Sequence, residues 1–219
     1  MKGMLVKDFR LLQSQKLFLY MMLLIAIILS FTMEDGSSFM IGYFTFIGAT
    51  LVSSSISYDE YANGMAALLT LPITKQEYIY EKYLLGMITA VLSWMIAMFI
   101  SIASLISKQQ TVDLISCFEN GFSVLLLSLL FISIMIPVQI RFGVRKSYVA
   151  MIVVMVLAVA AGYLIYLAMT HCGIYIDDIM EQLFINNTIA FYFIFLLITS
   201  TGLLTSLFIT LRIINNKDY

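Results

Sequence analysis

The chain is short of charge. Only 11% of its 219 residues are Asp, Glu, Lys or Arg, whereas a soluble globular domain carries about 25%. With 62% hydrophobic residues, an ordinary soluble fold is excluded. There is a single histidine, His171, at the outer edge of an apolar run. One histidine without a second cannot build the common zinc or acid–base constellations, and it reads as structural or interfacial. No glycine-rich phosphate loop of the Walker kind occurs, so ATP has no site of that type here. Internal repeats and low-complexity linkers are also missing. The apolar runs hold no Lys, Arg, Asp or Glu in their interiors. That argues against ion- or proton-coupled transport and intramembrane hydrolysis, which place ionisable groups inside the bilayer.

What is present is a series of apolar runs of about 17–25 residues, each long enough for a membrane-spanning helix. They fall at 17–33, 39–57, 83–107, 121–140, 148–170 and 188–211. The first is about 26 Å long, just enough to span. It follows a basic segment, but no small-residue cleavage site comes after it, so it reads as a retained helix. The expectation is an all-α membrane protein, one transmembrane domain over 1–219 with six spans.

Orientation follows from the basic residues. Six spans place eleven Lys and Arg on the starting side and one, Lys108, on the other, while the acidic residues divide almost evenly. Both termini and the long segment between spans two and three are therefore expected in the cytoplasm, the protein being multi-pass in the cell membrane. Cys117 and Cys172 fall on the outer side. One reading joins them in an extracytoplasmic disulfide, and the other leaves two unrelated thiols.

Smaller features sit at the edges and within the spans. In residues 1–16, Leu5, Phe9 and Leu12 share a helical face and Lys2, Lys7 and Arg10 point elsewhere, predicting a helix on the inner membrane surface. In the outer loop 171–187, Ile176, Ile179, Met180, Leu183 and Phe184 form an apolar stripe opposite Asp177, Asp178, Glu181 and Gln182, predicting a short amphipathic helix. Ser53, Ser54, Ser55 and Ser57 cluster at the inner end of span two, where close helix packing is favoured over a substrate path. Pro137 frees the carbonyl of Ser133 and is expected to kink span four. Trp94 reads as packing.

Residues 58–82 are the longest polar interruption. Asp59, Glu60, Asn63 and Gly64 end the extension of span two. A short apolar piece containing Met65, Leu68 and Leu69 follows, and Pro72 stops it. Thr74, Lys75, Gln76 and Glu77 then fit a capping box, with Ile73 and Tyr78 set for a hydrophobic staple. A helix begun there and continued to Ser107 would be about 50 Å long. The apolar side chains of the short piece either lie on lipid or fill a groove on a second protein.

The run Asp59-Glu60, Asn63-Gly64, Leu68 to Lys75, Tyr78 and Lys82-Tyr83 resembles the signature of small bacterial type-2 ABC exporter permeases, in particular those exporting phenol-soluble modulins and bacteriocin-type peptides. The opening Lys2 to Arg10 resembles their interfacial helix. Met65, Thr70 and Lys75 depart mildly from the pattern. The resemblance implies a cytoplasmic coupling helix between spans two and three that docks on a separate ATP-binding subunit. Asp59, Glu60, Asn63, Gly64, Met65, Leu68, Leu69, Pro72, Thr74, Lys75 and Glu77 would be the coupling residues. It also implies a second permease copy, lipid surroundings, an amphipathic or hydrophobic peptide as cargo, and no nucleic acid. This chain would have no catalytic residue, cofactor or metal of its own, with ATP and magnesium on the partner. The alternative is a membrane immunity or scaffold protein that binds a peptide or partner without ATP.

Overall fold

In the computed structural model, residues 2–33, 36–61, 74–108, 114–171 and 188–216 are described. They form helices α1 (Lys2–Ser14), α2 (Lys16–Thr32), α3 (Gly36–Glu60), α4 (Lys75–Ser107), α5 (Leu114–His171) and α6 (Thr188–Asn215). Four segments are long and apolar enough to cross a membrane: Gly36–Glu60, Lys75–Ser107, Leu114–Gly143 and Ile189–Asn215. The pair α1 and α2, bent by 63° at Gln15, makes a fifth if counted as one span. The fifth of the expected spans, 148–170, is helical, but its clearly apolar helix among the described residues is only Lys146–Val156.

The α3–α4 pair is the centre of the bundle, with α5 packed on both and α6 against α5 and α4. Close approach explains why: a Cβ added at Gly48 would lie 2.0 Å from the Ser93 hydroxyl oxygen and 2.9 Å from the Thr89 carbonyl. Only hydrogen fits, and the two backbones meet there. The main core lies where Val52 and Ile56 of α3, Ile79 and Leu85 of α4, and Ile132 and Ile136 of α5 interlock. Further along α4, Trp94 donates its indole N–H to the Gly121 carbonyl of α5 at 2.8 Å and packs edge-on against Phe118. The packing role expected of Trp94 holds.

Two local expectations change. α5 runs through Pro137 to a break at Gly143, whose φ of 71° and ψ of 168° are open essentially to glycine alone. Spans four and five are therefore joined by one glycine rather than a loop. Cys117, expected in a loop, lies within α5, because Leu114, Ile115 and Phe118 extend the apolar helical pattern toward the N-terminus. Its expected partner Cys172 lies outside the described residues, as do the amphipathic stripe at 176–184 and the apolar piece at 65–71.

Candidate functional site

One end of the bundle, where α3 ends and α4 begins, holds a buried network of charge. α4 starts at a complete capping box: Thr74 accepts from the Glu77 amide through its side chain at 3.2 Å, and the Glu77 carboxylate accepts from the Thr74 amide at 3.0 Å. This satisfies two amides that a helix start leaves without partners. Glu77 lies in the polar first turn, ahead of the apolar run that begins at Tyr83. Acceptance from the Thr74 backbone holds its carboxyl below the ordinary glutamate range. The cap fixes the phase of the helix, so that Tyr78, Glu81 and Lys82 all turn inward.

Lys82 is the hub. Its ammonium has three N–H groups, and three acceptors surround it: the Asp8 carboxylate from α1, Asp59 Oδ2 from α3 at 2.7 Å, and the Ser55 hydroxyl from α3 at 2.6 Å. Its Nζ also stands 5.1 Å over the Tyr78 ring. Lys7 of α1 reaches Asp59 Oδ1 at 2.5 Å, and Tyr78 donates to Asp59 Oδ2 at 3.3 Å. Ser55 donates to Asp8 Oδ2 at 2.7 Å. Glu81, fully buried, lies with Oε2 3.4 Å from Lys82, and neither of its oxygens has a hydrogen-bond partner among the described residues. Three carboxylates thus face two ammonium groups. Removing such ions from water costs several kcal/mol each, a cost of about that size being offset only by dense mutual pairing.

The topology gives the network its meaning. Asp59 closes α3 just before residues 62–73, and Lys82 lies two turns into α4 just after them. Their ion pair ties the two stalks of the polar segment together, while Asp8 and Lys7 tie both stalks to α1. Glu60, next to Asp59, sets its carboxylate against the α5 break, 3.3 Å from where a Gly143 Cβ would stand. Gln139 of α5 donates to the Ser53 carbonyl at 2.9 Å and the Ser57 hydroxyl at 3.0 Å, and Gln15 at the α1–α2 elbow donates to Ser54 at 2.9 Å. The serine cluster at the end of α3 therefore bonds three neighbouring elements, and packing is its role.

Of the residues expected to couple to a partner, Asp59 is turned inward, 5% exposed, and paired with Lys82 and Lys7. Glu60, Lys75 and Glu77 are half-buried and Thr74 is exposed. Asn63, Gly64, Met65, Leu68, Leu69 and Pro72 lie outside the described residues. Asp8, Ser55, Glu81 and Lys82 were not singled out as a site by sequence reasoning. The signal was Asp8 at four-residue spacing between Met4 and Leu12, which are the buried positions of α1. The face expected from Leu5, Phe9 and Leu12 is rotated by one residue, since Phe9 is exposed. Among the described residues, no group of three or more His, Cys, Asp or Glu could hold a metal ion.

No curated protein and no solved structure matches the chain. A family model described as ABC-2 family transporter protein matches residues 3–215, from the first turn of α1 to the last of α6.

Proposed function

The chain belongs to the ABC-2 family of transporter proteins, and from that premise we propose that it is the permease subunit of an ATP-driven exporter of amphipathic or hydrophobic peptides. Family membership makes it a membrane transport component rather than a catalyst and implies a separate ABC ATP-binding subunit, usually with two permeases together. In the proposed assembly, residues 62–73 dock on the ATP-binding partner through Met65, Leu68 and Leu69, with Glu60, Thr74, Lys75 and Glu77 at the rim. Asn63, Gly64 and Pro72 belong to the same proposed coupling segment.

The observation that carries the reading is the clamp of Lys82 on Asp8 and Asp59. A segment that receives force must not slide on its stalks. The helices on either side of this one, α3 and α4, are locked to each other and to α1, so a force delivered between them would reach all three. The uncharged apolar run of α4 beyond Lys82 suits a cargo with apolar surface and offers no ionic coupling.

The test is co-expression with the partner ATPase and reconstitution in liposomes, reading ATP hydrolysis and export of a labelled amphipathic peptide. Leu68→Asp is expected to abolish co-purification of the ATPase. Lys82→Met is expected to keep the ATPase bound while hydrolysis no longer drives export. Normal export in both variants, with normal assembly, would refute the coupling assignment.

A further inference from the structure

A groove of about 310 Å³ runs between the α1–α2 elbow and the α3–α4 pair. Its mouth is formed by Phe9, Gln13 and Lys16, its walls by Leu19 and Leu23 of α2 and Leu92 and Ile96 of α4, and its floor by Phe44 and Leu51 of α3. Thr89, which also lines it, gives its hydroxyl to the Leu85 and Gly86 carbonyls of its own helix at 3.0 and 3.1 Å, so the wall there is effectively apolar. Lys16 is the one charged residue in the lining. A neighbouring hollow shares Phe9 and Gln13 and adds Arg10. Lys16 therefore lines one hollow and Arg10 the other, the two hollows sharing Phe9 and Gln13, and no carboxylate lines either.

The depth of the groove can be read along its helices. Lys16 opens α2, and Leu23 lies seven residues further, about 10 Å at the helical rise. Ile96 lies thirteen residues beyond Tyr83, where the apolar run of α4 begins, or about 20 Å. The groove thus climbs from the inner surface to about the middle of a hydrocarbon layer about 30 Å thick, the depth of one leaflet. The groove is open along its side and lined mostly by apolar side chains, a surface that an extended hydrocarbon chain covers.

We propose that this groove binds an acyl chain of an anionic phospholipid of the inner leaflet, with the headgroup phosphate held by Lys16 and Arg10. The elements match in order: cations at the headgroup level, an amide from Gln13 just beside them, then aliphatic walls. The inner leaflet is where anionic lipid attracts basic residues beside a membrane helix. The bound chain fills the space under the elbow and props α1 at its angle to α2. The proposal is independent of the peptide cargo and of the ATP-binding partner.

The test is native mass spectrometry of the purified full-length chain, delipidated and then offered equal amounts of phosphatidylglycerol and phosphatidylcholine with the same acyl chains. The wild type is expected to retain phosphatidylglycerol preferentially. Lys16→Gln should lower that preference about fivefold, the effect of one basic residue at a lipid surface. Arg10→Gln, in the neighbouring hollow, tests the same contact independently should Lys16→Gln fold poorly. Leu92→Trp, which fills the groove and leaves the cations in place, should lose retention of the bound lipid. Equal retention of the two lipids by the wild type would overturn the proposal. So would an unchanged preference in both charge variants, unchanged retention in Leu92→Trp, or displacement of the lipid by an amphipathic peptide at equal concentration.

Discussion

The hydroxyl of Ser206 donates to the carbonyl of Ser133, the oxygen that Pro137 leaves without its helical donor. The same hydroxyl lies 2.5 Å from the Tyr83 hydroxyl, which also meets Thr210 at 2.9 Å. The imino residue in α5 is thus compensated by α6, and the compensation is handed on to α4. Ser206→Ala should cost about 1 kcal/mol, the usual worth of a polar contact between membrane helices. In a Pro137→Ala background, where the substitution restores the missing backbone amide, removing Ser206 should cost less. Unfolding in denaturing detergent, run as a double-mutant cycle, reads the difference, and additive costs would sink the pairing.

The charge network predicts an order of damage. Lys82→Met leaves three buried carboxylates with only Lys7 near them, and a broken buried pair costs about 3–5 kcal/mol. Asp8→Asn leaves Lys82 with Asp59, Ser55 and Glu81, so its cost should be smaller. Combining Lys82→Met with Asp8→Asn should recover part of the loss. Thermal unfolding of the purified variants in detergent measures all three, and equal losses in the two single variants would contradict the hub role of Lys82.

Gly48 predicts a steric penalty. Gly48→Ala places a methyl group against Ser93 and the Thr89 carbonyl, and overpacking of this kind costs about 1–3 kcal/mol. Ser93→Gly removes the nearest side chain but not the carbonyl, so the double variant should recover only partly. A melting temperature for Gly48→Ala equal to that of the wild type would show that α3 and α4 separate freely.

The α4 cap predicts a pH dependence with a definite sign. Glu77 has a depressed pKa in the folded chain, so its contribution is present above the ordinary glutamate value of 4.5 and fades as pH falls through the folded value. Hydrogen exchange at the first-turn amides of α4, corrected for intrinsic rates, should lose protection on acidification. Thr74→Ala should weaken the same turn by about 1 kcal/mol at neutral pH, and Glu77→Gln should abolish the pH dependence while keeping part of the cap. A pH response unchanged in Glu77→Gln would assign it elsewhere.

What could be read from the sequence was what is local. Thr74 and Glu77 stand three residues apart, so their capping box needs no knowledge of the rest of the chain. The freed carbonyl at Ser133 follows from Pro137 alone, but its donor Ser206 lies 73 residues away and looks like any hydroxyl in an apolar run. The apolar segments gave the helices for the same reason, since burial in lipid acts on composition. Asp8, Asp59 and Lys82 each flank an apolar run and read singly as solvated edge charges. Only the packing of α1 across the ends of α3 and α4 makes them one buried cluster. Gly143 was hidden because the α5 break needs one backbone conformation rather than a loop of turn-forming residues.

The unbroken run of α4 from Lys75 to Ser107 carries a mechanical consequence. A continuous helix about 50 Å long acts as a lever, and a tilt of about 5° about its capped end sweeps the far end through about 4 Å. That is most of the width of an extended hydrocarbon chain. A rotation too small to disturb the packing at Lys82 would therefore be magnified at Ser107, on the opposite face of the membrane.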